Sequence, residues 1–294
     1  MGMMISENFD KFTARHTVYD LVHHPLFIEF GEHLLPRPED VNSTISLRNV
    51  GQLMPWHGHI RPHVVVNACN RMLEDCEAGK EIFYTFYGDE RGAASGIFFL
   101  RGQPGAPFAV ICPGGGFVYV GSLHEGFPLA IELNRKGYNA FVLKYRTGGE
   151  QIACEDLAAA LSWIFMNAKV LGVSTFGYSL WGGSAGGRMV ANLGSYGAQA
   201  FGGYQIPGPA AIIMAYCAHR NCTPNDPPTF AVVGTDDHIA SPHVMKRRVD
   251  ALRHLGIDAE LLICQGVGHG FGVGTDTAAA GWVDDAIFFW ESHI

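Results

Sequence analysis

The chain has 294 residues, 48% of them hydrophobic, which suits one large α/β domain or two small ones with a sizeable core and excludes a disordered chain. A net charge of -8, from 28 acidic and 20 basic residues, with no basic cluster larger than Lys246-Arg247-Arg248, argues against a nucleic-acid surface. Seven cysteines without C-x-x-C spacing make a poor disulfide framework, and no apolar stretch is long enough to span a bilayer, so a cytoplasmic protein without a membrane partner is expected.

Met1 to Lys11 passes directly into charged and polar residues and does not read as a secretory signal. Met1-Gly2-Met3-Met4-Ile5-Ser6 fits a myristoylation pattern, but so short a match arises easily by chance. Residues 1–80 intersperse Pro, His and Asn with short periodic pieces such as 64–73. They are expected to form an N-terminal extension, either a partial lid or a homo-oligomer contact, on a main domain of residues 81–294.

From about residue 81, short apolar runs alternate with amphipathic segments, the pattern of an α/β fold whose mostly parallel sheet is covered on both faces. Eight strands are predicted at 82–87, 96–100, 108–112, 140–145, 177–181, 211–215, 230–234 and 260–264. The turn-rich link Gly88-Asp89-Glu90-Arg91-Gly92 favours an antiparallel first pair. Helices are predicted at 125–136, 154–168, 186–196, 242–255 and 277–293, with Gly137 and Gly256 placed as helix-ending glycines.

The most informative stretch is Gly182-Gly183-Ser184-Ala185-Gly186, which follows the fifth predicted strand and opens into the third helix. A serine becomes a useful nucleophile on a sharp strand-to-helix turn, where flanking glycines tolerate strained angles and close backbone approach. Such a serine needs a base, an acid that orients the base, and donors for the oxyanion. His269, flanked by glycines in Gly266-Val267-Gly268-His269-Gly270, follows the last predicted strand and is the candidate base. The acid lies after the 230–234 strand in Thr235-Asp236-Asp237-His238, where the adjacent aspartates leave the choice open. Oxyanion donors are expected from the Ala185 amide and from Pro113-Gly114-Gly115-Gly116-Phe117, whose proline has no N–H.

With these motifs the chain resembles the α/β-hydrolase superfamily, and within it the acetyl-esterase, acetyl-xylan-esterase and feruloyl-esterase-like hydrolases with a Pro-Gly-Gly-Gly oxyanion loop. His124-Glu125-Gly126-Phe127-Pro128-Leu129-Ala130 and Gly137-Tyr138-Asn139-Ala140-Phe141-Val142-Leu143-Lys144-Tyr145-Arg146 carry the likeness further, over residues 108–294. The resemblance implies an α/β-hydrolase fold with Ser184 as nucleophile, His269 as base, Asp237 as acid, and Gly115, Gly116 and Ala185 as oxyanion donors. It also implies hydrolysis of a small-molecule acyl ester, acetylated sugars included, through an acyl-enzyme and with no cofactor. Amide hydrolysis on the same fold and a non-catalytic scaffold are the rival readings.

His57-Gly58-His59 with His63 invites a metal-site reading. A structured loop around Pro55, Trp56 and Pro62 accounts for it better, since no Cys or carboxylate stands at ligand spacing. Trp181 and Phe117 flank the expected site and either line a pocket or pack under the sheet.

Overall fold

A computed structural model describes residues 10–294, so the Met1–Ser6 pattern lies outside the described residues. Eight strands form one sheet: β1 (Phe83–Tyr84), β2 (Gly96–Leu100), β3 (Pro107–Cys112), β4 (Asn139–Lys144), β5 (Ser174–Gly183), β6 (Ala211–Ala215), β7 (Thr229–Gly234) and β8 (Ala259–Cys264). Their order is β1-β2-β4-β3-β5-β6-β7-β8. β2 runs antiparallel to both β1 and β4, and the remaining pairs are parallel. Among the described residues seven α-helices accompany the sheet: α1 (Val18–Val22), α2 (Pro62–Glu77), α3 (Phe127–Arg135), α4 (Glu150–Leu171), α5 (Ala185–Tyr196), α6 (Pro242–His254) and α7 (Trp282–Glu291).

The central strands are near-continuous apolar runs because both of their faces are covered. In β3, Ala109 and Ile111 face residues of α2, α3 and α7, whereas Phe108, Val110 and Cys112 face α4, α5 and α6. The described part of the N-terminal segment, short 3-10 turns around α1 and α2, contributes Phe12, Leu21, Phe27, Val50 and Met72 to the first of these cores. Lys144, buried at the end of β4, pins that segment by donating to the carbonyls of Leu35 (2.5 Å) and Pro36 (3.4 Å). Burial lowers its ammonium pKa to about 8.

Local chemistry explains where the elements depart from the sequence pattern. β1 keeps two residues of the predicted 82–87 because the 3-10 turn Glu90–Ala93 draws the chain away from β2. α4 begins four residues earlier than predicted, directly after Gly148 and Gly149, whose φ of 110° and 156° are closed to a helix. α7 begins at Trp282 rather than 277, since Gly281 holds φ at 93° and Thr277 Oγ1 accepts from Ala279 N–H to make a turn. Gly137 and Gly256 do follow α3 and α6 with positive φ, as helix-ending glycines should.

One topological step positions the site. From β3 the chain passes through α3 to β4 on one side, then through α4 to β5 on the other. The loops leaving the carboxyl ends of β3 and β5 therefore diverge, opening a crevice where sites form in such sheets.

Candidate active site

Ser184 stands between β5 and α5 with φ 51° and ψ -113°, a conformation that a non-glycine residue adopts only under strain. Close packing enforces it. A Cβ on Gly186 would meet the Cys112 carbonyl oxygen at 1.7 Å, and one on Gly182 would meet the Gly186 carbonyl at 2.3 Å. The small residues of the pentapeptide thus let α5 start directly against β3 and β5. Ser184 N–H donates to the Ala215 carbonyl at 2.9 Å, which ties the turn to β6.

The structure brings His269 and Asp237 to this serine. His269 Nε2 lies 2.9 Å from Ser184 Oγ, and Nδ1 lies 2.8 Å from Asp237 Oδ2. A carboxylate only accepts, so Nδ1 carries the proton and Nε2 is free to take one from the hydroxyl. The Asp237 side chain is fully buried, and its Oδ1 accepts from the amides of Ile239 (2.8 Å) and Ala240 (2.7 Å). Asp236 is exposed and accepts from Thr235 Oγ1 at 2.9 Å. The Tyr216 ring packs edge-on against the imidazole, with centroids 5.2 Å apart.

The loop after β3 has most of its carbonyls committed. The Pro113 carbonyl accepts from Tyr145 Oη (2.8 Å), the Gly114 carbonyl from Gly121 N–H (2.9 Å) and the Gly115 carbonyl from Val118 (3.0 Å) and Tyr119 (3.1 Å). The Gly114 amide donates to Glu125 Oε2. Among the described residues the amides of Gly115, Gly116 and Ala185 donate to no protein acceptor. Gly115 and Gly116 have φ of 134° and 63°, open to glycine and costly for other residues.

Other expectations separate here. Trp181 is fully buried under the sheet beside Trp282 and Trp290, its Nε1 donating to Ser179 Oγ, and it borders only a small cavity of about 10 Å³ shared with Glu125, Gly183 and Tyr216. Phe117 lies half-buried on the loop after β3, edge-on to Tyr145. A cavity of about 640 Å³ against Phe30, His33 and Phe83 lies away from all three site residues. His57 is in a contact of 2.8 Å with Glu125, and among the described residues no three His, Cys, Asp or Glu side chains group as a metal site.

Sequence reasoning missed His57, His124 and Glu125 as parts of this site. The signal was present: His124 and Glu125 are an ionisable pair inside the mostly apolar stretch 117–131, and both are buried. His124 Nε2 donates to the Gly270 carbonyl at 2.9 Å, bracing the loop that carries His269. Burial, with His57 nearby, lowers the His124 pKa to about 4 despite the opposing pull of Glu125.

Burial also lowers His33 and His219 to about 4, with Lys144 and Arg248 adding to the respective shifts. In the unfolded chain these rings titrate near 6.5, so between pH 6.5 and 4 the unfolded state binds protons that the native state refuses. Stability present above pH 6.5 should therefore be lost as pH falls through this window, by up to about 3 kcal/mol for each of the buried His124 and His219 rings and by less for half-buried His33, which solvent partly screens. Glu125, held at about 2 against the opposing effect of burial by His57 and the Gly114 amide, adds its loss only below its ordinary 4.5. Calorimetry should show the melting temperature falling by roughly 10 °C or more from pH 7.5 to 4.5. A flat profile would contradict the neutral buried histidines.

The strand order, the strained serine between β5 and α5, and the ensuing order Ser, Asp, His define an α/β-hydrolase fold, and solved structures agree. A carboxylesterase from Lactobacillus plantarum is 22% identical with a TM-score of 0.63, the match covering 72% of this chain and 98% of that one. An acetyl ester-xyloside bifunctional hydrolase from Caldicellulosiruptor lactoaceticus is 20% identical with a TM-score of 0.62, covering 71% and 95%. Among curated proteins the chain is similar to an acetylxylan esterase from Xylanibacter ruminicola, 24% identical over 226 residues, which are 65% of this chain. The match spans 46% of that relative's length. No protein-family model matches the chain.

Proposed function

We propose that the chain is a serine carboxylesterase that hydrolyses small acyl esters, acetyl esters of sugars foremost, through an acyl-enzyme. The observation that carries this reading is the continuous relay from Asp237 through His269 to Ser184, at 2.8 and 2.9 Å, beside three uncommitted amides. Ser184 Oγ attacks the ester carbonyl as His269 Nε2 takes its proton, and the amides of Gly115, Gly116 and Ala185 receive the developing oxyanion. His269 then returns the proton to the departing alcohol. Water, activated by the same imidazole, releases the acid and restores the serine.

The acetyl preference draws on the likeness to proteins named acetylxylan esterase and acetyl ester-xyloside hydrolase. Purified protein should turn over 4-nitrophenyl acetate at least tenfold faster, by kcat/KM, than the octanoate, and should leave 4-nitroacetanilide essentially uncleaved. It should also release acetate from acetylated xylo-oligosaccharides. Faster turnover of the anilide than of the matched ester would replace the esterase with an amidase. A protein inert to every one of these substrates would favour a binding scaffold.

A further inference from the structure

Beneath the oxyanion loop lies a carboxylate that takes part in no bond-making step. Glu125 is 4% exposed and sits in a π turn, Ser122–Gly126, that leads into α3. Its Oε2 accepts the Gly114 amide, and its Oε1 lies 2.8 Å from His57 Nε2. A Cβ on Gly183 would come within 2.7 Å of Oε2, and one on Gly114 would stand 3.0 Å from both Oε2 and Ser184 Cβ. Carboxylate, oxyanion loop and nucleophile turn are therefore in mutual contact.

His57 arrives from the N-terminal segment, and its surroundings tie that segment to both sides of the site. His57 Nε2 meets Glu125 Oε1 at 2.8 Å as an ion-pair contact without hydrogen-bond alignment, and its Nδ1 lies 2.8 Å from Tyr119 Oη. Tyr119 Oη in turn accepts the Trp56 amide at 3.2 Å. The Trp56 ring lies 2.7 Å from where a Cβ on Gly116 would stand. On the opposite side, Gly58 N–H donates to the carbonyls of His269 and Gly270, both at 3.2 Å.

A buried anion this close to a forming oxyanion would oppose it through a poorly screened field, so its electrostatic contribution is adverse unless donors offset it. What it supplies is geometry. Gly115 and Gly116 have large conformational freedom, and their amides stabilise the transition state only if held where the charge develops. We propose that Glu125, clamped by His57 of the N-terminal segment, is a positioning residue that holds the oxyanion loop in register with Ser184. The inference rests on the esterase reading of that serine.

The test uses full-length wild-type protein, Glu125→Ala, Glu125→Gln and His57→Ala, with 4-nitrophenyl acetate kinetics, the rate of labelling by a fluorophosphonate, and thermal melting of each. Loss of a single oxyanion donor lowers kcat by roughly 100- to 1,000-fold. Glu125→Ala should approach the lower figure, about 100-fold in kcat, with KM changed less than about threefold. Labelling should slow in parallel, because the phosphonyl oxygen occupies the same hole. Glu125→Gln should recover about tenfold of the loss, since its amide oxygen can still accept from Gly114, and His57→Ala should cost about tenfold.

A folded Glu125→Ala enzyme with kcat and labelling rate within threefold of wild type overturns the proposal. Should that variant fail to fold, His57→Ala decides, and folded protein with both rates within twofold of wild type overturns it equally. A wild-type protein that neither labels nor hydrolyses overturns the esterase reading and the clamp with it. Active wild type beside fully active variants overturns the clamp alone.

Discussion

Ser184→Ala should lower kcat for 4-nitrophenyl acetate by about a million-fold and leave the protein folded. The proposed acyl-enzyme needs this hydroxyl, which lies 2.9 Å from His269 Nε2, the nitrogen left free to accept its proton. Alanine keeps the Cβ, so the backbone strain at φ 51° is unchanged, and the Ser184 amide keeps its bond to the Ala215 carbonyl. Melting should therefore shift by no more than a few degrees, and fluorophosphonate labelling should vanish. Substantial turnover by folded Ser184→Ala protein would remove Ser184 from the chemistry altogether.

The sheet was largely legible because each central strand is buried on both faces and is bounded by glycine, proline or polar residues. Six of the eight strands, from β2 onward and excepting β5, agree with the sequence pattern to within a residue or so at each end. β5 is longer because Ser174, Thr175 and Phe176, which are only partly buried or exposed, extend it without an apolar signal. The serine turn was legible for a different reason, since its geometry demands glycines that no ordinary strand-to-helix junction needs.

Contacts between distant, locally unremarkable residues stayed hidden. His57 meets Tyr119 and Glu125 more than sixty positions away, and nothing near His57 states that a carboxylate will face it. Local reading could offer only a histidine-rich loop with a metal-like look. The same limit hid how the N-terminal segment reaches the site. Its apolar residues lack regular spacing because it packs through short 3-10 turns, so periodicity says little about which side faces the sheet.

The adjacent aspartates are the sharpest test of that limit, because their residue types and loop are the same and only orientation separates them. Asp237→Asn should lower kcat by about ten-thousand-fold, the cost of losing the orienting carboxylate in a triad of this kind with its geometry preserved. An asparagine can still accept the Ile239 and Ala240 amides through its oxygen, so the loop should hold its shape. Its NH2 would then face His269 Nδ1, and two donors cannot share a hydrogen bond. The imidazole would turn to the tautomer protonated on Nε2, the nitrogen that must accept the Ser184 proton. Asp236→Asn removes an exposed charge whose carboxylate accepts from the neighbouring Thr235 hydroxyl at 2.9 Å. That variant should keep activity within about twofold and change stability by no more than about 0.5 kcal/mol. Kinetics on both purified variants decide the matter: a silent Asp236→Asn beside an active Asp237→Asn would make Asp236 the acid, and would require the 235–238 loop to rearrange before catalysis.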